Sequence, residues 1–266
     1  MDATGTNRSV TGGSDSLLRG ALGRTLVALL GVAFFLSIWW AALDARHVEG
    51  FLAPFSLVRT AGALRGLVFG PEIWPHVGAS LRRILIGLGL STVIGIPLGT
   101  AVGALPLFAT ASAPVFQFAR MISPLAWTPL AIMLFGVGDA PVLFLIVVAG
   151  VWPIVLATSA AVASLDRRLT TVGRSLGGRP LEIARAIVWA SVRPQVLTGI
   201  RVSIGVAWVI LVPAEMLGVD SGLGYFILST RDRLAYSELA AAILIVGLLG
   251  FALDGAARFA LGGHRR

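Results

Sequence analysis

Six apolar stretches, at about residues 24–43, 80–104, 113–135, 142–164, 196–217 and 239–259, dominate this chain of 266 residues. Each is close to or above the roughly 20 residues a helix needs to cross a bilayer. In lipid a backbone must satisfy its own hydrogen bonds, and a helix does so within a single segment. The pattern predicts an all-α membrane protein, a polytopic bundle of about six transmembrane helices. With 56% hydrophobic and 13% charged residues, the chain is too apolar for an ordinary soluble domain. Its 32 glycines suit helices that approach closely where no hydrophobic drive acts between them.

Residues 1–23 are polar and rich in Gly, Ser and Thr, a composition that predicts a disordered tail. The first apolar stretch ends in Trp39 and Trp40, where an interfacial aromatic belt belongs. A cleaved signal peptide is the competing reading. The long polar lead and the lack of a small-x-small site before Asp44 favour an uncleaved span. Segment 24–77 is thus a first span with an external stretch, 78–260 the core, and 261–266 a short tail. Pro97, Pro124 and Pro129 interrupt spans, either as packing kinks or as breaks that mark a transport path.

Absences narrow the chemistry. The chain has no Cys, and all 21 basic residues are Arg. A P-loop needs a lysine on the nucleotide phosphates, so the chain predicts no ATP site of its own and no bound cofactor. Thiol catalysis, Schiff-base chemistry and Cys-ligated metals are excluded too. His47, His76 and His264 show no metal-ligand spacing and read as solvated loop residues. The net charge of +8 does not point to nucleic acid, because the arginines lie in short loops beside apolar spans, where they orient a protein in a bilayer.

With both termini in the cytoplasm, the inner face carries Arg8, Arg19, Arg24, six arginines from Arg167 to Arg193, and Arg258, Arg265 and Arg266. The outer face carries Arg46, Arg59, Arg65, Arg231 and Arg233. Twelve against five favours this orientation. Arg82 and Arg83 fall on the wrong side and are expected to snorkel to the interface. Loop 165–195 then faces the cytoplasm.

That loop reads Arg174-Ser175-Leu176-Gly177-Gly178-Arg179-Pro180-Leu181-Glu182 and on through Arg185 to Pro194. Glycine fits the end of one helix and proline the first turn of the next, which predicts a helix–turn–helix. In its second helix Leu181, Ala184, Ile187 and Val188 share one face, with Glu182 and Arg185 off it. The loop resembles the EAA loop of ATP-binding-cassette importer permeases, with Gly177 as its glycine and Pro194 as its late proline. Its acidic-Ala-Ala opening is here Thr171-Val172-Gly173, and Ala190 stands where a further proline is expected. Ser80-Leu-Arg-Arg83, Gly95-Ile-Pro-Leu-Gly99, Arg120 through Pro129, Phe135-Gly-Val-Gly-Asp139, Thr198 through Trp208, Ala214-Glu215-Met216 and Gly222-Leu-Gly-Tyr225 are similar to the nitrate, sulfonate, taurine and bicarbonate branch. The resemblance covers about residues 78–258. It implies a type I importer-like fold, a separate cytoplasmic ATPase carrying ATP and magnesium, a second copy of the chain, and an extracytoplasmic solute-binding protein. It also implies a bacterial inner-membrane location and a small oxyanion as solute, a sulfonate such as taurine being favoured over nitrate, bicarbonate or a heterocyclic nutrient.

Ionisable groups inside spans are costly and are pathway candidates by default. They are Arg120, Arg201, Glu215 and Asp254. Arg120 and Arg201 lie near cytoplasmic ends, where they would snorkel, hold lipid headgroups or help form an inner gate. Glu215 stands about 21 Å along a helix from Arg201 and beside Pro213, positioned to shape the outer end of the path. Asp254 and Arg258 have i, i+4 pairing distance. Pro124, Trp127 and Trp208 complete the path set, packing being the alternative role for the two tryptophans. A gradient-driven secondary transporter would show inverted repeats and midplane ion sites, and an intramembrane enzyme a nucleophile–base or metal set. The sequence displays neither.

Overall fold

The computed structural model describes residues 12–45 and 50–262. Arg8, Arg46, His47, His264, Arg265 and Arg266 lie outside the described residues, as do positions 1–11 of the predicted tail. The chain divides into two units, Met1–Ala63 and Leu64–Arg266.

In the first unit, α1 (Gly12–Leu43) starts well before the predicted boundary at residue 24. Its stretch Leu26–Leu43 is long and apolar enough to cross a membrane, and Leu30, Phe34 and Phe35 are exposed on it. The Trp39 indole donates to the Phe55 carbonyl (3.0 Å). Asp44 Oδ2 accepts from the amide of Leu57 (2.7 Å), at the start of α2 (Leu57–Phe69), as a carboxylate does at a helix N-terminus.

The second unit is built on three long helices: α3 (Ile73–Ala104), α6 (Asp139–Ala163) and α9 (Ala190–Glu215). Glycines set how closely they pack. A Cβ added at Gly95 would lie 2.9 Å from Ile154 Cβ, and one at Gly150 would meet Ser203 Oγ at 2.8 Å and Ser91 Oγ at 2.9 Å. Ser203 Oγ donates to the Gly150 carbonyl (2.7 Å), so α6 and α9 are also joined by a hydrogen bond. Ile84, Val142, Leu145, Ile146, Ala207, Leu211 and Ala214 form a buried core between the three helices.

Two spans differ from the sequence expectation. The stretch 113–135 is not one helix: α4 (Pro106–Met121), a 3₁₀ turn (Pro124–Trp127) and α5 (Thr128–Phe135) follow in order, and the chain bends by 87° at the break. Ile122 and Ser123 have left the helical region, with ψ of 127° and 129°; for Ser123 the cause is Pro124, since the residue before a proline is pushed out of the helical region. The second helix of the 165–195 loop is likewise not separate from the next span. α8 (Pro180–Ile183), a π-helical stretch (Ala184–Trp189) and α9 follow without interruption, one 36-residue rod. Among the described residues five helices are long and apolar enough to cross a membrane, or six if the bent pair is one span. Two short helices complete the unit, α7 (Arg167–Ser175) and α10 (Leu223–Asp232), before α11 (Tyr236–Gly262).

Candidate functional site

Two places concentrate the sequence motifs: the turn between α7 and α8, and a buried charge cluster where α3, α6, α9 and α10 meet.

The turn is assembled by capping. Asp166 Oδ1 accepts from the Arg168 amide (2.8 Å) and starts α7. At its end Gly177 N–H bonds Arg174 C=O (2.9 Å) and Gly178 N–H bonds Gly173 C=O (3.0 Å), the paired bonds of a Schellman ending. That ending needs a left-handed residue, and Gly177 has φ +80°, which costs a side-chain-bearing residue energy. Pro180 opens α8, and Glu182 Oε2 accepts from the Arg179 amide (2.9 Å). The buried face differs from the predicted one. Ile183 is the buried residue, and it packs with Ile187 over Gly173, where an added Cβ would lie 2.7 Å from Ile187 Cδ1. Val188 packs on Ala161, Val192 and Val196. Leu181 and Ala184, expected inside, are exposed. Leu176 and Leu181, 82% and 79% exposed, project from the turn among Arg174, Ser175, Arg179, Glu182 and Arg185, all exposed.

The second place was misread in the sequence. Arg83 does not snorkel: it is 1% exposed, and Glu215 is 0% exposed. Arg83 Nη1 donates to Glu215 Oε1 (2.8 Å) and to the Ser221 carbonyl (2.7 Å). Its Nε donates to Asp139 Oδ1 (2.8 Å), and its Nη2 reaches Ser221 Oγ (2.9 Å) and the same Asp139 oxygen (2.7 Å). The guanidinium thus donates four hydrogen bonds, through all three of its nitrogens. Glu215 accepts further from Ser80 Oγ (2.8 Å) and from the Gly224 amide (3.0 Å). Ser80 Oγ in turn accepts from the Leu223 amide (2.8 Å). The first amides of α10 are thus capped by α3 and α9, and their partial positive charge faces a carboxylate. Gly222 has φ +112°, and a Cβ there would strike Glu215 and Arg83. Arg82 pairs with Asp139 at the exposed edge. His76, read as a solvated loop residue, lies in α3, accepts from the Gly222 amide (3.1 Å) and stacks on Tyr225.

The remaining path candidates do not converge. Arg120 is exposed and, among the described residues, bonds only Gln117 (3.2 Å), in its own helix. Pro124 opens the 3₁₀ turn. Trp127 and Trp208 both pack on the core cluster, Trp127 edge-on to Phe144. Among the described residues the buried Trp127 indole N–H has no hydrogen-bond partner. Arg201 pairs with Asp254 (3.4 Å), and Asp254 with Arg258 (2.5 Å), which ties α9 to α11. Of the path candidates, Glu215 is the one that belongs to the buried charge cluster. Sequence reasoning passed over Ser80, Arg83 and Asp139 as functional residues, although each stood in a motif, and arginine at one helix end with acids at two others is a pairing signal.

Residues 91–260 match the family model for the binding-protein-dependent transport system inner membrane component. The taurine transport system permease protein TauC of Escherichia coli (strain K12) is 29% identical, over 89% of this chain and 88% of its own. The bicarbonate transport system permease protein CmpB of Synechocystis sp. (strain ATCC 27184 / PCC 6803 / Kazusa) is 32% identical over 87% and 86%. The nitrate import permease protein NrtB of Leptolyngbya laminosa is 29% identical over 90% and 88%. Among solved structures, a chain of the inward-facing MetNI methionine ABC transporter superposes with a TM-score of 0.59 at 18% identity, covering 75% of this chain and 96% of that one; this likeness concerns the fold alone. The chain belongs to the binding-protein-dependent transport system inner membrane component family and is a multi-pass permease subunit of an ATP-binding-cassette importer.

Proposed function

We propose that two copies of this permease pair about a two-fold axis, that each receives a cytoplasmic ATPase on its Gly177 turn, and that nucleotide-driven closure of the ATPases rocks the spans between outward- and inward-open states. A closed two-fold pair is the commonest homo-oligomer. The observation that carries the reading is the turn: a capped, glycine-ended elbow that leaves Leu176 and Leu181 uncovered among arginines. Exposed apolar anchors ringed by polar groups fit a partner's cleft. Both termini then lie in the cytoplasm, ATP and magnesium stay on the ATPase, and an extracytoplasmic binding protein delivers the solute.

The solute is a small oxyanion, with a taurine-like sulfonate favoured. Relatives named for taurine, bicarbonate and nitrate transport support the class, and the first of these supports the choice. The test is reconstitution in proteoliposomes with the ATPase and binding protein. ATP-dependent uptake of labelled taurine, outcompeting bicarbonate and nitrate, is expected, and the permease alone should move none of them down an imposed ion gradient. Gradient-driven uptake by the lone chain would restore the secondary-transporter reading.

A further inference from the structure

We propose that Ser80, Arg83 and Glu215 are positioning residues for transport. They lock α3, α6, α9 and α10 into one body that stays closed through the cycle, while α4 swings against that body about the break at residues 122–127.

The lock rests on polar satisfaction. The Arg83 guanidinium donates four hydrogen bonds through all three nitrogens and ion-pairs with Asp139, and the Glu215 carboxylate is held by Ser80, Arg83 and the α10 backbone. Separating these elements would strand opposite charges in an apolar interior, which is strongly unfavourable. Away from the charges, the glycine contacts between α3, α6 and α9 and the Ser203–Gly150 hydrogen bond hold the same body together.

α4 is built differently. None of its residues is buried. Among the described residues its side-chain hydrogen bonds all stay within the helix, as Thr110–Pro106, Ser112–Phe108 and Arg120–Gln117 show. α5 belongs with the fixed body, because Thr128 and Ala131 are buried in it. Between α4 and α5 stand two extended residues and an 87° bend, the kind of segment that absorbs a hinge rotation. The Trp127 indole N–H at this joint is buried without a hydrogen-bond partner among the described residues. Buried donors are normally satisfied, so a second arrangement of the joint has something to gain.

The inference rests on the alternating-access reading above, and the chain's lack of cysteine gives a clean background for the test. Phe116 and Trp152, ring centroids 5.6 Å apart, join α4 to α6. Val137 and Leu217 are exposed and flank the Gly138–Gly218 backbone hydrogen bond inside the fixed body. Each pair is replaced by cysteines and bridged with a short bifunctional thiosulfonate in the full transporter. Bridging 137–217 should leave uptake within about twofold of the unbridged protein. Bridging 116–152 should lower it more than about tenfold, with recovery on reduction. Loss of uptake from the first bridge, or normal uptake with the second, overturns the proposal. No uptake in the unbridged proteins would instead count against the transport reading.

Should the 116–152 pair fail to fold, spin labels at exposed Val115 and Leu217 should show a nucleotide-dependent change in distance that the 137–217 pair lacks. Equal behaviour of the two label pairs contradicts the proposal. Glu215→Gln should raise the ATP consumed per solute at least about threefold in the folded fraction. A purely structural role would lower the folded yield and leave that ratio unchanged.

Discussion

The Gly177 turn and the Arg83–Glu215 cluster are opposites in construction. The turn is exposed, closed by backbone capping, and held by two isoleucines over one glycine. The cluster is buried, closed by side-chain charges drawn from three helices and by the backbone amides of a fourth. A feature made of neighbours in sequence can be changed locally and leaves the rest standing. A feature made of distant residues is a joint, and removing one member disturbs all the others.

The contrast predicts a ranking of effects. The largest should follow from removing one buried charge. Arg83→Ala leaves Glu215 uncompensated and should destabilise by about 3–5 kcal/mol, seen as loss of folded protein in detergent unfolding. A stability close to wild type would mean that the cluster is wetter than its burial indicates. Gly222→Val comes next, combining a strained backbone of about 1–2 kcal/mol with collision against Glu215 and Arg83. Folded yield should fall clearly, and a normal yield would show that the loop relaxes elsewhere. The same exchange at Gly177 meets no neighbour, since nothing lies within 4 Å of an added Cβ. It should cost only the backbone strain of about 1–2 kcal/mol, with near-normal expression and a selective loss of coupled uptake. Asp254→Asn should do least. Its pairs with Arg201 and Arg258 are part-exposed and worth at most about 1 kcal/mol, so unfolding midpoints should barely move.

What could be read from the sequence follows the same division. Spans were legible because hydropathy is local, and the turn because Gly177-Gly178 and Pro180 punctuate helices whatever surrounds them. The bend at 122–127 was harder: Pro124 and Pro129 signalled a break, but a break and a kink look alike until the chain direction is known. The loop helix merged with α9 because Pro194 is accommodated inside a helix rather than ending one. The face of α8 was misjudged because Ile183 is buried against α7, a contact no periodicity within α8 encodes. Local sequence makes Arg83 look like a snorkelling residue because its acceptors lie 56 and more positions away. His76 looks like a loop residue because α3 begins at Ile73, ahead of the apolar stretch that marks the span.

The central claim is that work enters this permease through the Gly177 turn. The most direct test compares ATP-driven solute uptake by reconstituted transporters carrying wild-type or Gly177→Val permease, with folded permease and bound ATPase quantified in both. The account predicts that uptake per folded complex falls at least about tenfold while the permease remains in the membrane. Uptake at the wild-type rate, with the substituted turn confirmed in the complex, would contradict it.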